Sequence, residues 1–287
     1  MSADIPGVAW IGIGAMGLPM ACRLAQHGVG VRVFDRDAQR LQQAASQGLV
    51  AAASVAQAVH GAQTVFSTVF DDAALCSLVD GPQGLAAAMP RGSLLVEMST
   101  VSPAASARVA ERLQAAGVRY LRAPISGSVG LAERGELSVF TSGDEADAVQ
   151  ARALLAHVAR HQQHVGAAEA ARVLKLAINL MVVASTALIG EALAFGERNG
   201  LPRGALVDAL NASIVGSRHY QSRADSLKTR AYNGNGPLRL VAKDLALALQ
   251  IAQAQGLALP ITDHCSAAVA RLVQQGRGDV EVTLLAD

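Results

Sequence analysis

One short segment, Gly12-Ile13-Gly14-Ala15-Met16-Gly17, constrains this chain more than any other, because of what stands on either side of it. Val8–Ile13 before it is short and aliphatic and reads as a β-strand; Met16–Gln26 after it reads as a helix, opened by Leu18-Pro19-Met20. In such a setting Gly12 permits a tight turn, Gly14 lets the backbone approach a pyrophosphate, and Gly17 lets the helix pack close to the strand. The helix N-terminus then offers N–H donors and a positive dipole end to phosphates. The glycine spacing alone is a weak signal; the strand before, the helix after and an acid ending the next strand make it a strong one. That acid is Asp35, at the end of a predicted strand Val31–Asp35. A carboxylate there accepts hydrogen bonds from the adenosine ribose diol and repels a 2′-phosphate, which favours NAD. Arg36 and Arg40 follow closely, and a neighbouring arginine accommodates that phosphate, so NADP stays open.

The same alternation continues. Leu41–Gln47 and a short Ser54-started stretch read as helices, and Thr64–Phe70, Ser93–Met98, Arg119–Ala123 and Leu137–Ser142 read as strands. Repeated β–α–β units predict an α/β fold, a Rossmann-type doubly wound parallel sheet. Beyond Gly166 the pattern changes. Glu169–Glu197 reads as one long helix, about 40 Å at 1.5 Å per residue, stopped by Gly200-Leu201-Pro202. Only helices follow, at Arg203–Ala212, Ser222–Thr229, Leu240–Gln255 and Thr262–Gln275. The expected organisation is a cofactor domain over 1–165 and, over 166–287, a long interdomain helix followed by an all-helical substrate and dimerisation domain.

Composition narrows the function classes. With 287 residues, 51% of them hydrophobic and 3% aromatic, the chain buries a large aliphatic core and is not disordered. A net charge of +1 removes the electrostatic case for nucleic acid or an anionic membrane. Leu176–Gly190 is an uncharged run of 15 residues, with Asn179, Ser185 and Thr186 in it. That is short for a membrane span and reads as a helix buried inside the protein. Cys22, Cys76 and Cys265 are far apart and form no C-x-x-C pair, and the N-terminus shows no basic region or cleavage site, so a cytoplasmic setting is expected. His157, His161 and His164 have the spacing of a helical metal patch, but no acidic ligand accompanies them, and no metal is assigned.

Further landmarks follow in order: the whole of Gly12–Leu24, then Ser99-Thr100-Val101-Ser102-Pro103, Ala123-Pro124-Ile125-Ser126-Gly127, Lys175 with Asn179, and Lys243-Asp244-Leu245 with Ala248, Gly256 and Pro260. Together they resemble the β-hydroxyacid dehydrogenase family, the group around 3-hydroxyisobutyrate dehydrogenase and tartronate semialdehyde reductase, over nearly the whole chain. The resemblance implies an NAD(P)-dependent oxidoreductase of small 3-hydroxy carboxylates, a C-terminal domain like that of 6-phosphogluconate dehydrogenase, and a homodimer or homotetramer. It implies Lys175 and Asn179 as the catalytic Lys-x-x-x-Asn, substrate contacts at Ser126, Gly127 and Ser128, and cofactor contacts at Thr68, Val69, Thr100 and Lys243 besides the glycine turn.

The residues themselves admit this chemistry. Alcohol oxidation by a nicotinamide needs a group to take the hydroxyl proton. Lys175 precedes an apolar run, where desolvation disfavours its charge and lowers its pKa; the plain alternative is a lysine snorkelling from a hydrophobic face. Asn179 lies four residues on and shares its helix face, either to orient substrate and lysine or simply to bond a neighbouring carbonyl. Ser126-Gly127-Ser128 forms a turn able to nest a carboxylate, or an ordinary turn. Thr100 reads as a nicotinamide-side contact or a helix N-cap, and Lys243 as a cofactor or substrate contact or a helix charge paired near Asp244. Departures from the family pattern stand at Arg122, Ser128, Glu169, Ala171, Ile178 and Val69-Phe70. Arg122 reads either as a second cationic anchor for a dianionic substrate or, the favoured reading, as a surface residue at a strand end. Imine reduction on the same fold and a non-catalytic cofactor scaffold are the alternatives; retention of Lys175 and Asn179 speaks against both.

Overall fold

The computed structural model describes residues 7–234 and 236–287. The chain divides into two compact units, Met1–Lys175 and Leu176–Asp287, and the division falls inside the long helix Ala170–Arg198.

In the first unit six parallel strands, β1 (Val8–Ile11), β2 (Val31–Phe34), β3 (Val50–Ala51), β4 (Thr64–Ser67), β5 (Leu94–Glu97) and β6 (Arg119–Arg122), lie in the order β3-β2-β1-β4-β5-β6. The order reverses at β1, so the crevice for a nucleotide opens beyond the C-terminal ends of β1 and β4. Side chains alternate across the sheet. Val8 and Trp10 join one buried cluster and Ala9 and Ile11 the other, so both faces are covered by helices. Trp10 stacks on Phe66 with ring centroids 4.8 Å apart, and its indole N–H donates to Thr68 Oγ1 at 3.0 Å.

One expectation for this unit is corrected. The strand expected at Leu137–Ser142 is not part of the doubly wound sheet. It forms β8 (Leu137–Thr141) in a separate three-stranded sheet with β7 (Ile125–Ser126, antiparallel) and β9 (Ala159–His164, parallel). Pro124, with no N–H to give to a ladder, stands where the chain leaves β6 for the second sheet. The segment that carries His161 and His164 is a strand, so their spacing is not that of a helical patch. His161 and His164 lie on β9, where an odd separation sends side chains to opposite faces. His157 lies before that strand, its ring 4.4 Å from that of His27.

The second unit is helical. Successive segments of the long helix carry two apolar clusters, one with Leu238, Leu245, Cys265 and Val269 and one with Val207, Tyr220 and Leu227. Thr186 Oγ1 lies 2.9 Å from His219 Nε2, and burial, with Arg223 nearby, pushes that imidazole down to about 4. The long helix, read as buried inside the protein, is largely exposed in the single chain. It runs 29 residues, contains an 18-residue window of mean hydropathy 1.9 that by length and composition alone is enough to cross a membrane, and only 22% of that window is buried. Met181, Leu188 and Phe195 are 70%, 62% and 75% exposed. Together with exposed Ala177 they form a stripe at helical spacing on the side left uncovered by the two clusters.

Candidate active site

The glycine turn, Asp35 and Thr68 come together at the ends of β1, β2 and β4. Gly12 adopts φ +83°, and its N–H donates to Phe34 O at 2.8 Å. Thr68 closes the turn from the other side by donating its hydroxyl to Gly12 O. A Cβ on Gly12 would lie 2.1 Å from Thr68 O, and one on Gly17 would lie 2.1 Å from Gly12 O, so neither tolerates a side chain. Gly14 differs: a Cβ there meets nothing nearer than Arg40 Nη1 at 3.5 Å. Two of the glycines therefore shape the turn, and the third leaves open the approach that a pyrophosphate requires. The helix Gly17–Gln26 has Met16 at its N-cap and no side-chain cap, as a phosphate-facing end should.

Asp35 is buried and well supplied with donors. Its Oδ2 accepts from Ile13 N at 2.9 Å and its Oδ1 from Asp37 N at 2.9 Å, while Arg40 Nη1 lies 3.4 Å from Oδ2. Arg40 also lies 3.5 Å from Asp37. Arg36 is exposed, so the cation on this carboxylate is Arg40.

The Ser99-Thr100 loop follows β5. Ser99 Oγ accepts from Val69 N at 2.7 Å, which joins the β4 and β5 loops. The cap of the next helix is Ser102, whose hydroxyl oxygen accepts from Ala105 N at 3.0 Å, and not Thr100. Ser126 ends β7. Gly127 follows at φ +145°, and a Cβ there would lie 2.6 Å from Leu137 Cδ2. Ser128 is the N-cap of Val129–Arg134, accepting from Leu131 N at 3.4 Å.

Lys175 is half-buried, in the second turn of the long helix. One turn further on, Asn179 Nδ2 donates to buried Asp244 Oδ2 at 2.6 Å, and Lys243 Nζ lies 3.0 Å from the other oxygen of that carboxylate. Asp244 thus fixes which way the Asn179 amide faces, and Asn179 and Lys243 meet at one carboxylate.

Residues 7–166 match the family described as the NAD binding domain of 6-phosphogluconate dehydrogenase, and residues 169–286 match the NAD-binding family of NADP-dependent 3-hydroxyisobutyrate dehydrogenase. The chain is 34% identical over 261 residues to 3-hydroxyisobutyrate dehydrogenase of Pseudomonas aeruginosa, covering 88% of each. It is 30% identical over 260 residues to 2-hydroxy-3-oxopropionate reductase of Escherichia coli, covering 90% of this chain and 88% of the other. Among solved structures, Mycobacterium tuberculosis 3-hydroxyisobutyrate dehydrogenase with L-serine superposes with a TM-score of 0.87 at 25% identity, covering 97% of each chain. The chain belongs to the β-hydroxyacid dehydrogenase family. It is an NAD(P)-dependent oxidoreductase acting on a CH–OH group.

Against that family background two departures explain each other. Arg122 is not a surface residue: it is buried, and its guanidinium forms an ion pair with Glu169, Nε lying 2.9 Å from Oε1. The acid just before the long helix thus answers the cation at the end of β6. Sequence reasoning missed a second pair, Glu97 with Arg172, both fully buried. The signal was there as an acid ending the apolar run Leu94-Leu95-Val96 and a base between Ala171 and Val173, but nothing in the sequence joins residues so far apart.

Proposed function

We propose that this dehydrogenase interconverts a small 3-hydroxy carboxylate and its aldehyde or keto acid, with Lys175 as general acid and base. The observation that carries this reading is the place of Lys175. It lies early in a helix that follows directly on a dinucleotide-binding fold, one turn before an asparagine whose amide is held by Asp244. A bound nicotinamide would supply the hydride acceptor in oxidation and the hydride donor in reduction. In oxidation the uncharged Lys175 amine takes the hydroxyl proton as the carbonyl forms; in reduction its ammonium gives a proton to the carbonyl oxygen. Ser126 and the backbone of Gly127 hold the substrate carboxylate, and Asn179, one turn after Lys175 on the same helix, keeps the lysine's amine oriented. Retention of Lys175 and Asn179 favours this over imine reduction or a non-catalytic scaffold. The test is a panel of 3-hydroxy acids and semialdehydes followed by the absorbance of reduced nicotinamide. Turnover of at least one 3-hydroxy acid is expected, and a panel inert with both NAD and NADP rejects the reading.

NAD is the preferred cofactor, because the buried Asp35 carboxylate faces the place where a 2′-phosphate would add negative charge. Arg40 offsets part of that charge. Asp35→Ser is expected to shift the ratio of kcat/KM for NADP over NAD upward by about tenfold or more, equivalent to ~1.4 kcal/mol. An unchanged ratio would show that Asp35 does not discriminate.

A second copy of the chain covers the stripe Ala177, Met181, Leu188 and Phe195, giving a homodimer or homotetramer. Its support is the width of exposed apolar surface on a helix otherwise tied to its own unit through Asn179 and Thr186. Met181→Lys with Leu188→Glu is expected to convert the assembly to single chains of 29.5 kDa in light scattering, and an unchanged mass argues against this interface. The unpaired thiols Cys22, Cys76 and Cys265 suit a cytoplasmic setting.

A further inference from the structure

The start of the catalytic helix is tied to the sheet by more directional bonds than a helix of this length needs. Arg172, in its first turn, is fully buried and spends its guanidinium on three neighbouring segments. Nη1 donates to Ser99 O at 2.6 Å, Nη2 to the Glu97 carboxylate and to Tyr120 Oη at 3.1 Å, and Nε to Ser106 Oγ at 3.3 Å. Glu97 returns to the same loop by accepting from Ser99 N at 2.8 Å. Burial works against the charge on Arg172, but Glu97 and Tyr120 outweigh it and hold its pKa above the ordinary value.

The second pair lies one helical turn earlier. Glu169 is bound by Arg122, whose guanidinium carbon sits 4.5 Å from the centre of the Tyr120 ring. Tyr120 thus touches both cations, one through its ring and the other through its hydroxyl. Between the pairs, Ser142 donates its hydroxyl to Ala168 O at 2.7 Å and accepts from Ala171 N at 3.0 Å. Ala168 itself is held at φ +47°, a conformation that an L-residue keeps only where its surroundings impose it.

A buried ion pair adds little net stability over apolar residues of the same shape, so stability is a poor account of this arrangement. Its geometry says more. Glu97 and Arg122 end adjacent strands, and each is followed by a loop proposed to meet a reactant: Ser99-Thr100 the nicotinamide side, Ser126-Gly127 the substrate carboxylate. Their partners, Arg172 and Glu169, stand three and six residues before Lys175. We infer that the paired charges Glu97–Arg172 and Arg122–Glu169, joined through Tyr120, form a clamp that sets the position of Lys175 relative to both loops. The four charged residues are positioning residues, and the inference rests on Lys175 being the acid and base.

The experiment uses the full-length enzyme and four variants. Glu169→Gln keeps the shape of the side chain but leaves buried Arg122 without its partner charge, so Tm is expected to fall. Measured well below that Tm, kcat is expected to fall about tenfold while the dissociation constant for NADH stays at the parent value. Arg122→Glu with Glu169→Arg restores the pair in reverse and is expected to recover most of that loss. Glu97→Leu with Arg172→Met replaces the fully buried pair by apolar groups and is expected to lower kcat by about tenfold to a hundredfold, with cofactor binding retained. Parent kcat in both Glu169→Gln and the apolar double variant overturns the clamp. So does a loss in Glu169→Gln that the reversed pair leaves unrecovered, which would mark a structural role only. Lys175→Ala separates the two ideas: full turnover without the lysine rejects the acid–base reading and the clamp with it, whereas an inactive Lys175→Ala beside unimpaired pair variants rejects the clamp alone.

Discussion

Lys175→Ala is expected to lower kcat by about a thousandfold while leaving the dissociation constant for NADH within about twofold of the parent. The expectation combines two features of the site. Lys175 is the group proposed to move a proton to or from the reacting oxygen, and a positioned acid or base of this kind contributes roughly 10²–10⁴-fold. It belongs to the long helix and to none of the loops that follow β1, β2 and β4, so removing it should leave dinucleotide binding intact. The loss should therefore fall on kcat rather than on cofactor affinity, as for an interaction made in the transition state. Lys175→Arg should not rescue, because a guanidinium does not give up its proton in the working range. Stopped-flow single turnover with saturating NADH checks the assignment, and turnover in Lys175→Ala comparable to the parent would sink it.

The next largest effects separate two glycines only two residues apart. Gly12→Ala is expected to cost about 3 kcal/mol or more, since an L-residue at positive φ is penalised by roughly 1–2 kcal/mol and the added clash comes on top. The clash is with backbone: Thr68 O lies 2.1 Å from the new methyl carbon. Neither β1 nor β4 can yield, because both are central strands of the sheet. A Tm lower by about 6 °C or more should follow. Gly14→Ala meets only the flexible end of Arg40, at 3.5 Å, an ordinary contact. Its Tm should match the parent to about 1 °C, yet its dissociation constant for NADH should rise about tenfold or more, because the methyl group occupies the approach of the pyrophosphate. Thermal unfolding and cofactor titration of the two variants check this. Parallel behaviour in both assays would refute the division of labour between the glycines.

How far the sequence could be read differs from element to element. The glycine turn, Asp35 and the alternation of strands with helices are local signals, and each is decided by the residues within one β–α unit. The long helix was legible as a helix for the same reason. Its exposure was not, because apolar periodicity records that a face seeks cover and is silent on whether the cover comes from this chain. The second sheet was missed as a separate sheet, since a strand pattern names no partner. The three- and four-residue histidine intervals would carry meaning only on a helix, and β9 is extended.

By itself, then, the sequence determined the dinucleotide fold, the family and the short roll of candidate residues, because those depend on spacings along the chain. The tertiary structure alone decided which charges answer one another. It put Arg40 rather than Arg36 on Asp35, held Asn179 and Lys243 at Asp244, and paired Arg122 with Glu169 and Glu97 with Arg172. The physical reason is desolvation. A charge buried with its partner is stable and the same charge buried alone is not, and which partner it finds depends on packing between segments far apart in the chain.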